Sequence, residues 1–490
     1  MKILLAGYNI DYETIQDIED ALPDLEELTP ETIAAAYARI SRSPRPVNEL
    51  RALARAEVEK ARRSNRSIVF DMGHSSIAEH AVFNIDILGV SRLLVEEIEK
   101  FRLCSYTEKS QRYVLLKDDF VIPREIQETG LKPLFAGMIR EQNRFYHALY
   151  GRLRSHVLDR NPDLAADPEN RPLLEGWAKE DARYIIALGT ETQLGMTVNA
   201  RNLELMLRRL AAHELEEARD FSRRLYDATK NVAPSLIRYA AATDYDRLTR
   251  RDLREKVSAL IAGRGPAPAA QPAGQEAVVL TAATERADDQ IAAALIHASA
   301  ALPKSRCLEL AAGMETREKR DLIQTAFRHL KAFDPVLREF EHIDLHYELI
   351  ISASCFAQLK RHRMATLTGQ DYDPALGVTI PPAVSEVGMD APFLEIISRT
   401  EAAHDRIRQA VPEAAAYILT NAHRKRVALK VNARELYHIA RLRADRHAQW
   451  DIRQVAERMI ALGKEAMPLT LMLAAGKDGF ASLYDQTFPS

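Results

Sequence analysis

At 490 residues the chain is long enough for two or more domains, and 47% hydrophobic against 28% charged residues describe a globular protein with ample core. A net charge of −3 excludes a large polyanion such as a nucleic acid as main partner, which calls for a clearly basic domain, yet leaves room for small phosphorylated ligands. Cys104, Cys307 and Cys355 form no spaced pair, which excludes a disulfide framework and a thiolate metal site and fits a reducing cytoplasm.

In chain order, residues 1–7 are apolar too briefly for a signal peptide and soon meet Asp11 and Glu13, so they predict a first β-strand. Residues 81–87 alternate apolar and polar side chains, the pattern of a half-buried strand, and residues 343–349 do the same. Residues 201–231 and 434–462 carry Leu, Ala, Arg and Glu at helical spacing. Between these sets, residues 262–274 are Ala, Pro and Gly apart from Arg264 and Gln271, without large apolar side chains, which predicts a linker. No apolar run approaches the ~18 residues that cross a membrane, so no membrane partner is expected and a cytoplasmic location is. The prediction is an α+β chain of two units, residues 1–261 and 277–490, joined by a linker over 262–276, each with long helices packed on a sheet.

The two halves echo each other. Thr32-Ile33-Ala34-Ala35-Ala36 returns as Gln290-Ile291-Ala292-Ala293-Ala294, Glu79-His80 as Glu341-His342, Lys100-Phe101-Arg102 as Arg361-His362-Arg363, and Asn199-Ala200-Arg201 as Asn432-Ala433-Arg434. The offset is 342 − 80 = 262 at the Glu-His pair and 361 − 100 = 261 at the triplet, then 432 − 199 = 233, so the first half carries a longer middle near residues 150–175. Ordered echoes around a linker indicate tandem duplication.

Two short segments concentrate the chemistry. Gln358 followed three residues later by Arg361-His362-Arg363 offers forked donors for phosphate and a ring for stacking or hydrogen bonding. Ser110 and Arg112 suit an anion as well. Alone, each is more often solvated surface. Arg443 and His447 sit four apart and share a helix face, where an ion-pair network with Asp445 and Asp451 is the plain alternative.

Together these segments resemble the flavin-dependent thymidylate synthases. That family's signature runs Arg-His-Arg, two residues, Ser, four residues, Ser, one residue, Arg. It is spread here over Lys100–Tyr113 and Arg361–Pro374, with His74-x-Ser76-x-x-Glu79-His80 before it and Leu-Arg-Ala-Asp-x-His-Ala-Gln-Trp at 442–450 after it. The resemblance covers nearly the whole chain. It implies two tandem copies of that family's fold and a homotetramer-like assembly, here a homodimer forming a pseudo-tetramer. It further implies FAD, dUMP and a reduced folate as ligands, with methylene-tetrahydrofolate as carbon donor and NADPH as reductant.

Carried over position by position, the resemblance assigns dUMP to Gln358, Arg361 and Arg443 of the second half and to Glu108, Ser110, Arg112 and Arg183 of the first. The first half has Glu97, Lys100 and Leu210 where the second has Gln358, Arg361 and Arg443. The second half has Gly369, Asp371, Asp373 and Ala416 where the first has Glu108, Ser110, Arg112 and Arg183. Each loss is matched by a retention, which points to sites built from both halves; Asp371 and Asp373 would repel a nucleotide phosphate. Arg443 and Ser110 are the expected catalytic groups, Arg443 as a fixed cation beside the uracil ring. FAD falls to His74, Ser76, Arg102, Asn199, Arg201, His362, Arg363, Asn432 and Arg434, although both Asn-Ala-Arg elements could equally serve helix starts. No metal is expected. Two other functions compete: a flavoenzyme acting on another pyrimidine nucleotide, and a non-catalytic flavin- or nucleotide-binding paralogue.

Overall fold

The computed structural model describes residues 1–11, 30–31, 56, 58–66, 75–112, 114–264 and 276–489. His74, Tyr113, the echo at 32–36 and linker residues 265–275 lie outside the described residues. Residues 262–264 end the helix Asp244–Ala262 and its turn.

In the first unit four strands, β1 (Lys2–Tyr8), β2 (Val82–Ser91), β3 (Ser105–Glu108) and β4 (Glu191–Asn199), form an antiparallel sheet in the order β1-β2-β4-β3. The expected alternation is present: along β4, Thr192, Leu194, Met196 and Val198 are buried while Glu191, Gln193, Gly195 and Thr197 are exposed. Helix α1 (Arg92–Ile98) follows β2 directly, its start capped by Ser91. Helices α2 (Lys132–Arg160) and α3 (Arg171–Ala182) supply the longer middle of this half. The helical stretch expected over 201–231 is two helices, α4 (Ala200–Ala211) and α5 (Glu216–Thr229). The chain turns between them, where Leu215 N donates to His213 Nδ1 and Glu216 N to Glu125 Oε1.

In the second unit β5 (Val278–Ala283), β6 (Asp344–Ser352), β7 (Thr366–Tyr372) and β8 (Arg424–Asn432) repeat that topology as β5-β6-β8-β7. Helix α6 (Ala353–Leu359) follows β6 as α1 follows β2, and is capped by Ser352. The stretch expected over 434–462 is again two helices, α7 (Ala433–Arg443) and α8 (Trp450–Ala466). The core packs Phe327, Phe340, Tyr347, Leu349, Val427, Leu429, Tyr437 and Met459 between sheet and helices. Buried Tyr347 and Tyr437 satisfy their hydroxyls on the carbonyls of Met459 and Thr470.

Register fixes the equivalence of the two sheets. Val82 pairs with Asn199 as Asp344 pairs with Asn432, and Ser105 pairs with Thr197 as Thr366 pairs with Lys430. The offsets are 344 − 82 = 262, 366 − 105 = 261 and 432 − 199 = 233, those of the sequence echoes.

Compactness divides the chain differently from the repeat. One unit is Met1–Ala267 with Glu386–Leu419, the other Pro268–Ser385 with Thr420–Ser490. Helix Asp390–Ala410 of the second copy thus packs with α2 in the first unit: Phe145 meets Phe393 at 6.3 Å, and Gln142 Nε2 donates to Thr400 Oγ1 and the Ile418 carbonyl. In that unit Glu217 is buried and accepts from Ser91 N and Oγ and from the Tyr417 hydroxyl, at 2.6–2.8 Å.

Candidate active site

In the first unit, β3 and α1 bring Glu108 to Arg92 (3.3 Å) and Thr192 (3.4 Å), with the Glu108 and Arg92 side chains each 4% exposed. Beyond β3 the chain turns, and Ser110 Oγ accepts from the Arg112 backbone N–H at 3.2 Å. The Arg112 guanidinium reaches Glu180 on α3 at 2.5 Å, and Arg183, one turn on, donates from Nε to the Glu180 carbonyl at 3.2 Å. Burial pushes the Arg183 guanidinium below its ordinary pKa; Tyr184 and Glu180 oppose this, while the positive charges of Arg112 and Arg92 add to it. Arg92, Arg112 and Arg183 thus share one locale with Glu108 and Glu180, and guanidinium groups gathered in this way suit an anion. Four predicted residues, Glu108, Ser110, Arg112 and Arg183, belong to this cluster.

In the second unit, buried Gln358 near the end of α6 donates from Nε2 to the Ser354 carbonyl (3.3 Å) and to Gln449 Oε1 (3.2 Å). Gln449 in turn caps α8. Arg443, on the last turn of α7, donates from Nε to His362 Nε2 at 2.9 Å and from Nη2 to the Gln358 carbonyl at 3.2 Å. His362 is buried against Glu435 (3.4 Å) and edge-on to His438 (5.6 Å between centroids). Burial lowers its pKa; Glu435 pulls it up, and Arg443 and His438 push it down again, leaving a net lowering. A neutral imidazole can accept from a guanidinium, and the lowering favours that form. Gln358, His362 and Arg443 form one cluster, while Arg361 and Arg363 stand exposed on the adjoining turn.

The positions where each copy departs from the pattern are filled differently. In the first unit Glu97 holds Lys100 at 2.6 Å and His213 at 3.3 Å. Burial raises the Glu97 carboxyl, but His213 and Lys100 together more than offset it and hold its pKa at about 2. In the second unit β7 runs on where the first copy turns, and Tyr372 pairs with Lys425. The Lys425 amine lies 4.2 Å from the Tyr372 ring and 4.3 Å from Phe356, and its Cε would touch a Cβ on Gly369 at 3.2 Å. Asp373 accepts from Ala375 N at 2.9 Å and caps the next turn.

The residues expected around flavin divide. Asn199 and Asn432 both cap helices, accepting from Asn202 N (3.0 Å) and Glu435 N (2.8 Å). Arg201 pairs with Glu79 (2.5 Å) and Arg434 with Glu341 (2.7 Å), each bridge tying a helix start to the turn before a strand. Four of the echoed residues thus have a structural role in both copies. Ser76 and Arg102 are exposed in the first unit. Asn432, Arg434, Glu435, His438, Met364 and Val336 border a cavity of about 310 Å³ in the second unit. Among the described residues no His/Cys/Asp/Glu group is arranged to hold a metal, and no helix is long and apolar enough to cross a membrane.

Residues 25–235 and 279–469 each match the family described as thymidylate synthase complementing protein. The chain belongs to that family. It carries the family's fold twice in tandem. A flavin-dependent thymidylate synthase of Clostridium tetani is 29% identical over 215 residues, spanning 43% of this chain and 82% of that protein. A UPF0159 protein of Thermoplasma acidophilum is 24% identical over 470 residues, 87% of this chain and 91% of its own length, so a double-length form exists among the family's relatives. The UMP/dUMP methylase PolB of Streptomyces cacaoi, solved with 5-Br dUMP, aligns with a TM-score of 0.34 at 20% identity over 41% of this chain and 95% of its own, too distant to inform the site.

Within this family fold, sequence reasoning missed Arg92, Glu180, Glu435 and Gln449. Arg92 follows the capping Ser91, and Glu180 stands three residues before Arg183. Glu435 is the third residue past the Asn432 cap, a position that faces back over the helix start. Each was legible as helix-end chemistry, but nothing in the sequence tied it to a distant partner.

Proposed function

We propose that the protein is a flavin-dependent thymidylate synthase that methylates dUMP to dTMP, with methylene-tetrahydrofolate as carbon donor and NADPH as reductant. The observation that carries this reading is the locked guanidinium of Arg443, held by His362 Nε2 and the Gln358 carbonyl. A fixed cation of this kind stabilises negative charge that develops on a pyrimidine ring as its carbon becomes nucleophilic, with no enzyme nucleophile. The buried cysteines have no part in it. Gln358, oriented by Gln449, and Arg361 bind the nucleotide from the second copy. Ser110, Arg112 and Arg183 bind its phosphate from the first, and Glu108 is held ready by Arg92. The two copies together hold one complete set of these side chains, and neither holds it alone.

The residues present fit a flavin. The second-unit cavity combines apolar walls from Val336, Met364 and Phe333 with polar groups from Asn432, Arg434 and Glu435. Asn432 and Arg434, with Arg363, would hold FAD, which when bound supplies the hydride. The coarser conclusion, a thymidylate-synthase-like enzyme of the methyltransferase type, rests on the family. The test is anaerobic: purified protein with NADPH, dUMP and methylene-tetrahydrofolate, followed by flavin absorbance and by chromatography for dTMP. Bleaching stimulated by dUMP together with dTMP formation supports the proposal. A colourless protein that FAD does not stabilise against heat, and that forms no dTMP, refutes it.

A further inference from the structure

The contacts that lock Arg443 continue one residue inward. Arginine has donors only, so the 2.9 Å contact from Arg443 Nε requires a lone pair on His362 Nε2 and therefore a proton on Nδ1. His362 Nδ1 faces Glu435 Oε1 at 3.4 Å, longer than a good hydrogen bond, and neither atom has a hydrogen-bond partner, so each is the group within nearest reach of the other. Both side chains are buried, 1% and 8% exposed, where a polar atom left unpaired is costly. The other groups on the imidazole are Arg443 and the edge of His438, neither of which accepts from Nδ1. We infer that Glu435 is a positioning residue, fixing the Nδ1-protonated tautomer of His362 so that His362 in turn orients Arg443.

The first copy supplies an internal control. Through the offsets fixed by the sheets, Glu435, His362 and Arg443 correspond to Asn202, Phe101 and Leu210. All three members are replaced together. Asn202 turns its amide to Asn199 Oδ1 at 2.8 Å, and Leu210 is buried as core. A carboxylate that merely served the helix start would have no reason to vanish with the arginine at the other end of the same helix. The consequence for chemistry rests on the reading of Arg443 as the cation beside the nucleotide; the tautomer does not.

The full-length protein labelled with ¹⁵N in histidine decides the matter, with His362 assigned by its loss in His362→Phe. The inference expects an Nδ1–H tautomer in the wild type, its loss in Glu435→Ala, and its retention in Glu435→Gln, whose amide oxygen still accepts. In steady-state assays with dUMP, Glu435→Ala should lower kcat about tenfold to a hundredfold with KM little changed, the scale expected when a catalytic group is misplaced. Glu435→Gln should stay within about threefold, and Glu435→Ala should cost nothing further in a His362→Phe background. A wild-type His362 protonated at Nε2 overturns the inference without any variant, as does Glu435→Ala with an unchanged tautomer. If the wild type makes no dTMP, the functional reading fails while the tautomer still decides the contact.

Discussion

Lys425→Thr places in the second copy the residue that the first copy carries at the same register, Thr192. The wild-type amine sits between two rings at 4.2 and 4.3 Å in a site where the lysine is 8% exposed. Each cation–π contact in such a desolvated setting contributes on the order of 1 kcal/mol, so the pair contributes about 2 kcal/mol. For a unit of this size that corresponds to a fall in Tm of roughly 4–8 °C. The chain has two tryptophans, Trp177 in one unit and Trp450 in the other, so a Trp177→Phe background lets Trp450 fluorescence follow the second unit alone. Lys425→Met separates the effects: it keeps the stem against Gly369 and removes the charge. The account expects the methionine variant to lose most of the 2 kcal/mol and both variants to bind dUMP as the wild type does. A methionine variant as stable as the wild type would show that the rings hold the stem and not the charge.

Three further outcomes are expected. Arg443→Lys should lower dTMP formation by about a hundredfold or more at saturating dUMP, because an ammonium cannot satisfy His362 and the Gln358 carbonyl with one planar fork; wild-type turnover would refute the role of the locked guanidinium. Glu97 has a folded pKa of about 2 against an ordinary 4.5, so its contribution is fully present above pH 4.5 and is lost as pH falls toward 2. At 20% exposure it amounts to about 3 kcal/mol, so acid unfolding of Glu97→Gln should lack that part of the pH dependence. Gly476→Ala would drive a methyl group into the Ala444 carbonyl, beside Arg443; turnover should fall with it, and an unaffected variant would mean that the end of α7 can shift without consequence.

Much of the fold was legible because strands and their partners repeat. The alternation at 81–87 and 343–349 marked the two central strands, and the three echo offsets are those by which the two sheets correspond. The helical spacing at 201–231 and 434–462 was legible too, but not the breaks near His213 and Asp445: distant Glu125 accepts from Glu216 N at the first, and Asp445, at the second, accepts from the N–H groups of its neighbour His447 and of distant Asp478. The placement of helix Asp390–Ala410 in the first unit was not legible, since its apolar face reads the same whichever sheet it covers. At the site, the sequence brought out the residues that could bind. It did not bring out what occupies the substituted positions, because Lys425 looks like one surface lysine among many until its strand partner is known.

The central claim is that the two copies contribute complementary groups to one nucleotide. Calorimetric titration of the purified full-length protein with dUMP, alongside Arg112→Ala and Arg443→Ala, tests it most directly. The account predicts one dUMP bound per chain in the wild type and its loss or severe weakening in both variants, although one arginine lies in the first copy and the other in the second. Two dUMP per chain, with each variant losing only one, would contradict it.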